Sequence, residues 1–285
     1  MSDTDHIREL REPDSAGAAA RPEKKPEDAR SFAWFLVKLV LIVLLFRTLV
    51  FTSFNIPSES MMPRLLVGDY LFAAKWPYGY SRYSLPFDID VGDGRLLSTM
   101  PERGDVAIFK HPIDKSDYIK RVIGLPGDTI QMIGGVLYIN GTPVPKEQVA
   151  NFVLPTTAAR GCGPGRARFT VRQEDGSFAC SFPQFRETLP NGVSYNVLDL
   201  DTVGVDNTPP ITVPEGHLLM MGDNRDNSQD SRKAAVANGW VGMVPIENLV
   251  GRASFMYFST DGSAEWLKPW TWLTAARWSR IGRSI

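Results

Sequence analysis

The chain has 285 residues, of which 43% are hydrophobic and 22% are charged, a balance typical of a folded protein. Its formal net charge is −1 and no basic stripe stands out, which excludes the electrostatic pattern of a nucleic-acid-binding protein. The few histidines and cysteines have no metal-site spacing, so we expect neither a metal nor a cofactor.

Two segments of opposite character open the chain. Residues 1–31 almost lack large apolar side chains and cannot offset their conformational entropy by burial, so we predict a disordered tail. Residues 32–54 then form an apolar stretch of about 23 residues, which as a helix spans roughly 34 Å and can cross a bilayer core. Lys38 and Arg47 interrupt this stretch, but their long side chains can reach toward the two interfaces.

The alternative for this stretch is an amphipathic helix on the membrane surface. Its two charges lie on opposite sides of a helix and leave no polar face, which argues against that alternative. A cleaved signal peptide is disfavoured by the long polar tail and by the lack of a small-x-small site. Arg21, Lys24, Lys25 and Arg30 precede the stretch, whereas only Arg64 lies within about twenty residues beyond it. We therefore predict a single span with a cytoplasmic N-terminus and an exported C-terminal part.

Beyond residue 55 the pattern is one of strands and turns. Short apolar runs bounded by Gly and Pro, and an alternation of period two over residues 118–124, predict strands. Asn140-Gly141 predicts a tight hairpin turn. We expect residues 55–128 and 213–260 to form one β core, with residues 129–212 as an inserted β subdomain. The predicted fold class is mainly β: an N-terminal transmembrane helix followed by an exported all-β domain.

Two features of the exported part have two interpretations each. Cys162 and Cys180 favour a disulfide in an oxidising compartment, which would close a loop of about 19 residues and contribute about 3 kcal/mol. Two free thiols are the alternative.

The segment 261–285 combines tryptophans with basic residues, which suits a bilayer interface. A tail packed on the β domain explains the same composition equally well.

A candidate nucleophile follows the apolar stretch. Ser58 and Ser60 lie in the run IPSESMMP, and a serine hydroxyl needs a base to react. The histidines stand in no recognisable triad motif. Lys120 lies in the run YIKR, where burial among apolar groups can lower the pKa of a lysine by several units. Most serines and strand-edge lysines are structural, so each residue alone is a weak indication.

These motifs together resemble bacterial type I signal peptidase, the membrane-anchored serine protease that removes signal peptides from exported proteins. Five segments carry the resemblance in the family's order: the Ser60 run, RGDV at 103–106, the Lys120 strand with its LPGD turn, GDNRDNSQDSR at 222–232 and NLVGRA at 248–253. They cover most of residues 33–260. The resemblance implies a catalytic β core at the bacterial inner membrane and, as partners, preproteins and the lipid bilayer.

The resemblance also implies roles for individual residues. Ser60 would be the nucleophile and Lys120 the general base. The hydroxyl of Ser58 and the backbone N–H of Ser60 would form the oxyanion hole. Ser228 would hydrogen-bond the lysine amine, and the dyad would have three further supporting residues, Asp230, Arg232 and Arg121. Residues implied to line the substrate groove are Phe54, Ile56, Pro57, Tyr118 and Ile119.

The chain departs from the family pattern in two places. Glu59 occupies a position often held by glycine, and we expect its side chain to point away from the groove. The segment 233–242 is longer than the family usually has.

Three other functions stay open: a specialised Ser/Lys peptidase for a pilin or conjugation factor, an inactive membrane-anchored substrate-binding relative, and a self-cleaving repressor. The membrane span and the missing DNA-binding segment argue against the repressor.

Overall fold

The computed structural model describes residues 29–84, 92, 94–156, 161–265 and 267–285, so most of the predicted N-terminal tail lies outside the described residues. Two α-helices occur in this part of the chain, α1 Ala29–Leu49 and α2 Trp270–Ala275. The strands are β1 Phe51–Asn55, β2 Asp69–Ala74, β3 Val106–Lys110, β4 Asp117–Gly124, β5 Thr129–Ile133, β6 Val136–Ile139, β7 Thr142–Pro143, β8 Lys146–Thr156, β9 Thr170–Arg172, β10 Phe178–Thr188, β11 Ser194–Leu198, β12 Ile211–Thr212, β13 His217–Met221, β14 Val244–Pro245 and β15 Leu249–Ser259. The mainly β fold class is confirmed.

Helix α1 is long and apolar enough to cross a membrane. Its residues Arg30–Leu49 have a mean hydropathy of 2.2. The helix ends at Leu49, before the predicted end at residue 54, because Phe51–Asn55 form strand β1. This strand pairs with β2 along its whole length, and aromatic and β-branched residues such as Phe51 and Thr52 suit that pairing. Hydropathy alone cannot separate the last turns of a helix from an apolar strand that follows directly.

Three sheets form the β part. The largest has seven strands in the order β1-β2-β15-β3-β4-β13-β14. Two smaller sheets have the order β12-β5-β6-β7 and β11-β10-β8, with β9 paired to β10. Every strand of the two smaller sheets comes from residues 129–212, whereas the strands of the large sheet come from before and after that segment. The large sheet therefore brings distant parts of the chain together, and it carries the candidate site.

The predicted Asn140-Gly141 turn joins β6 and β7. Both residues have positive φ, 53° and 78°, as a tight hairpin turn of this kind requires. Ile139 and Thr142 pair directly on either side of it. The local sequence therefore determines this hairpin.

Strand β4 has the predicted alternation. Tyr118 and Val122 contribute to one hydrophobic cluster of the sheet, while Ile119 and Ile123 contribute to two others. Lys120 lies between them and shares the alternation of Tyr118 and Val122. Only 4% of Lys120 is exposed, so the packing of the sheet buries the amine.

The C-terminal segment packs on the large sheet. Arg280 donates from Nε and Nη2 to the two carboxylate oxygens of Asp69, at 3.0 and 2.6 Å, and Asp69 is fully buried. Oγ of Ser259 donates to the same carboxylate at 2.7 Å. Trp270 and Trp278 nevertheless keep 65% and 61% of their surface exposed. The segment is thus a packed part of the domain that still presents aromatic groups to its surroundings.

Arg280→Ala should destabilise the protein, because it removes the guanidinium that binds both oxygens of the buried Asp69 and leaves, among the described residues, only the longer pair with Arg277 at 3.7 Å. We expect the free energy of unfolding to fall by about 3 kcal/mol, the usual cost of removing one partner of a buried ion pair. Urea unfolding in detergent measures the change. Lys268→Ala removes an exposed pair with Glu265 in the same segment and is the control. Equal unfolding midpoints for both variants would contradict this role of the Asp69–Arg280 pair.

Candidate active site

Ser60 lies in the connection between β1 and β2, and buried residues hold the chain in place on both sides of it. Ile56 and Met61 are buried in the same hydrophobic cluster on either side of it. Oγ of Ser60 lies 2.6 Å from Nζ of Lys120 and 3.3 Å from Oγ of Ser58. The structure therefore brings the expected nucleophile, base and second hydroxyl into contact distance.

The amine of Lys120 is held in a setting that favours its neutral form. Burial is the largest influence and lowers its pKa to about 8 from the ordinary 10.5. The carboxylates of Asp230 and Asp223 act in the opposite direction, and Arg232 adds to the lowering. A neutral amine at this distance can accept the proton of the Ser60 hydroxyl.

Asn224 fixes the peptide groups around Ser60. Its backbone N–H donates to the carbonyl of Ser60, and its side-chain Nδ2 donates to the carbonyl of Glu59, both at 3.1 Å. Among the described residues, none accepts a hydrogen bond from the N–H of Ser60. This N–H is therefore free to donate to a substrate oxygen, beside the hydroxyl of Ser58.

Two buried arginine–carboxylate pairs hold the loop 222–232. Arg232 binds both oxygens of Asp230 at 2.8 and 2.9 Å, and Asp230 also accepts the N–H of Gly222 at 3.2 Å. Arg121 binds both oxygens of Asp223 at 2.7 and 2.6 Å. All four charged side chains are at most 6% exposed. The structure places Asp230, Arg232 and Arg121 where they can fix this loop against the site.

Ser228 differs from the expectation. Its Oγ is buried, but within the described part of the chain it has no hydrogen-bond partner, so the expected bond to the Lys120 amine is absent. The hydroxyl instead lies close to Gly222. A Cβ added at Gly222 would lie 2.3 Å from Oγ of Ser228 and 2.5 Å from the carbonyl oxygen of Ser60. Gly222 is a site residue that sequence reasoning missed, although it opens the motif that contains Ser228.

An open groove of about 820 Å³ passes the dyad. Pro57, Tyr118 and Ile119 line it, as expected. Phe54 and Ile56 are not among its lining residues, and their place beside a substrate stays a prediction. Ile56 is buried in a core cluster and Phe54 packs against the same cluster, because apolar side chains at the end of β1 gain more by burial there.

The opposite wall of the groove was not predicted. It includes Val203 and Val205 from the inserted segment and Lys233 and Trp240 from the long segment 233–242. Nζ of Lys233 lies 4.6 Å from the ring centre of Trp240. Val203, Val205 and Trp240 lie outside the motifs, and Lys233 directly follows the motif at 222–232, so only the fold identifies these four as groove residues.

Strand β4 has an open edge beside the groove. On one side β3 pairs with it from Asp117 to Arg121. On the other side β13 pairs only with Arg121, Val122 and Gly124. The described chain therefore offers no second partner for residues 117–120, and an extended peptide can pair there.

Glu59 is held away from the groove lining. Its Oε2 accepts hydrogen bonds from Arg166 at 2.7 Å and from Nδ2 of Asn227 at 3.0 Å. Arg166 comes from the segment that contains Cys162, which forms a disulfide with Cys180 in the structure. The departure from glycine at position 59 is thus matched by a contact with the inserted subdomain.

One acidic cluster bears on the expectation that no metal is bound. Asp199, Asp206 and Asp226 place carboxylate oxygens within 4.8 Å of one another. Lys146 pairs with Asp199, and Asp226 accepts backbone N–H groups at 2.5 and 2.8 Å. These bonds explain the cluster as a brace between loops, and the absence of a metal stays a prediction.

Comparison with known proteins decides the family. A family model described as signal peptidase, peptidase S26, matches residues 29–258, which is more than half of the chain. The chain belongs to the signal peptidase family. Signal peptidase I of Rickettsia akari is 36% identical over 277 residues, covering 88% of this chain and 91% of the relative. Signal peptidase I of Rickettsia conorii is 37% identical over 270 residues, covering 87% and 90%.

A solved structure of the signal peptidase family was also found. It is a signal peptidase I from Enterococcus faecalis, which aligns with a TM-score of 0.28 and 24% identity. The alignment covers 55% of this chain and 98% of that chain.

Gly222→Ala should strongly reduce the peptidase activity of this family member. The added methyl group would overlap Ser228 and the carbonyl of Ser60, and a displacement of about 1 Å in an active site costs on the order of 10²-fold in rate. The rate of peptide cleavage measures it. Gly239→Ala, whose new methyl group meets neighbours at 3.4 Å or more, is the matched control. Activity of Gly222→Ala close to that of the control would show that this packing is dispensable.

Proposed function

We propose that this protein is a membrane-bound serine endopeptidase that cleaves signal peptides from exported preproteins, with Ser60 as nucleophile and Lys120 as general base. The supporting observation is the separation of 2.6 Å between Oγ of Ser60 and Nζ of a buried Lys120. Membership of the signal peptidase family and the naming of the Rickettsia relatives as signal peptidase I support the substrate class.

Binding of the substrate uses the groove and the open edge of β4. An extended segment before the cleavage site adds to residues 117–120 as a further strand, and its side chains enter pockets beside Tyr118 and Ile119. Main-chain hydrogen bonds of this kind are independent of sequence. They suit an enzyme whose substrates share only small residues at the key positions before the cut.

The reaction begins when the Lys120 amine takes the hydroxyl proton of Ser60. Oγ attacks the carbonyl carbon of the scissile peptide, and the oxyanion that forms accepts hydrogen bonds from the N–H of Ser60 and the hydroxyl of Ser58. Loss of one such donor costs about 3–4 kcal/mol in activation free energy. The Lys120 ammonium then protonates the leaving amine. Lys120 next activates a water molecule, which hydrolyses the acyl-enzyme and frees Ser60.

The proposed location is the bacterial inner membrane. Helix α1 serves as a single-pass anchor with the N-terminus in the cytoplasm and the catalytic domain outside, in agreement with the basic residues before the helix. Ser60 follows the end of α1 by about eleven residues, so even an extended chain separates them by at most roughly 38 Å. This tether keeps the nucleophile close to membrane-inserted substrates and raises their effective concentration.

The remaining alternatives differ in what they predict for the dyad. An inactive substrate-binding relative has no use for a buried lysine with a lowered pKa in contact with Ser60. A specialised peptidase for a pilin or conjugation factor shares the chemistry and differs in substrate choice. The dyad geometry therefore opposes the first alternative, and cleavage of a general preprotein separates the second from the main proposal.

Ser60→Ala and Lys120→Met should each abolish cleavage of a model preprotein, because one lacks the nucleophile and the other the base. Mass spectrometry of the products locates the cut, which we expect after a small-x-small sequence, and circular dichroism checks the fold. Ser53→Ala and Lys268→Met are the controls and should cleave at the wild-type rate. Full processing by Lys120→Met would rule out the dyad. Cleavage confined to a specialised substrate would favour the specialised peptidase.

A further inference from the structure

Glu59, the residue directly before the nucleophile, is fixed from two sides. Nη2 of Arg166 lies 2.7 Å from its Oε2, and Nδ2 of Asn227 lies 3.0 Å from the same atom. Its carbonyl accepts hydrogen bonds from Nδ2 of Asn224 at 3.1 Å and from the N–H of Met62 at 3.0 Å. The side chain and the carbonyl of Glu59 are therefore both held by hydrogen bonds, mostly from residues distant in sequence.

Arg166 is itself held in place by the inserted subdomain. Four residues before it, Cys162 is joined to Cys180 of β10. The guanidinium of Arg166 also lies 6.0 Å from the ring centre of Phe182, on the same strand. With its neighbours fixed in this way, Arg166 loses less conformational entropy on binding Glu59 than a free surface arginine would.

The same disulfide touches the nucleophile turn from its other side. Cys162 and Cys180 are buried in one hydrophobic cluster with Met62 and Leu66, which lie two and six residues after Ser60 in the chain. The inserted subdomain thus contacts the turn before the nucleophile by an ion pair and after it by apolar packing.

We infer that Arg166 is a positioning residue for the nucleophile, acting through Glu59. The inference rests on the proposed function and adds to it a role for the inserted subdomain. The Glu59–Ser60 peptide bond carries the N–H that points to the oxyanion. A constellation of this kind works only when it is held within about 0.5 Å of its productive geometry. The contact with Arg166 limits rotation of that peptide group.

Charge gives Arg166 a second effect on the same step. The side chain of Glu59 carries a negative charge next to the residue at which the oxyanion forms, and two like charges repel each other. The guanidinium of Arg166 offsets this charge. Without Arg166, the carboxylate would oppose the transition state more than the bound ground state, so the effect belongs in kcat rather than in KM.

The test compares Arg166→Ala, Arg166→Lys and the double variant Glu59→Gln/Arg166→Ala in steady-state cleavage of a model preprotein by the full chain in detergent. We expect Arg166→Ala to lower kcat roughly tenfold with KM within about twofold, a loss smaller than that for a displaced nucleophile. Arg166→Lys keeps the charge and should recover most of the loss. The kcat of the double variant should be higher than that of Arg166→Ala, because the double variant also removes the uncompensated carboxylate of Glu59.

A matched control is available two residues away. Arg168 pairs with Asp201 on the surface, with both side chains more than half exposed, so Arg168→Ala should leave kcat and the melting temperature unchanged. A kcat of Arg166→Ala equal to that of Arg168→Ala would overturn the inference. An increase in KM with an unchanged kcat in Arg166→Ala would overturn it as well.

The outcome for Ser60→Ala keeps this inference separate from the proposed function. An inactive Ser60→Ala with an unaffected Arg166→Ala would leave the proposed dyad standing and remove only the role of Arg166. An active Ser60→Ala would contradict the proposed function itself.

Discussion

The burial of one lysine amine that has no carboxylate partner among the described residues is the constraint on which the site depends. Lys120 is 4% exposed, and its Nζ contacts Oγ of Ser60 rather than an acid. Two carboxylates lie close enough to raise its pKa, those of Asp223 and Asp230. Each is bound by its own arginine through both oxygens, which offsets its charge. Because each carboxylate is already paired with an arginine, it stabilises the Lys120 ammonium less, and burial can lower the pKa of the amine.

The same pairs shape the site mechanically. They fix the loop 222–232, whose residue Asn224 donates hydrogen bonds to the carbonyls of Glu59 and Ser60. The large sheet contributes Lys120 on β4, and the inserted subdomain contributes Arg166 on Glu59. Three parts of the chain that are far apart in sequence therefore meet within one residue of Ser60. The groove and the open edge of β4 give an extended peptide access to this point.

Sequence patterns predicted the mainly β fold, the alternation of β4 and the turn at Asn140, because these depend on local periodicity and backbone preference. They also identified the residues that meet at the site, through a family resemblance. The end of α1 was placed too late, because Phe51 and Phe54 extend the apolar stretch beyond Leu49, and the pairing of residues 51–55 with β2 identifies them as a strand. The missing hydrogen bond of Ser228 and the burial of Ile56 were not foreseen, because both depend on packing between distant segments, which spacing in the sequence does not encode.

The most direct test of the central claim is the titration of the Lys120 amine itself, followed by NMR of protein labelled with ¹⁵N at lysine Nζ. The Lys120→Arg variant identifies the resonance by its loss. Burial disfavours the ammonium, so the amine should be neutral above, and protonated below, a midpoint near pH 8. Lys75 is a second buried lysine with a pKa lowered to about 8, and it serves as the internal control. Its titration midpoint should be the same in the wild type and in Ser60→Ala. A midpoint for Lys120 near the ordinary 10.5 would mean that it is an ammonium at working pH, and the account of the dyad would fail.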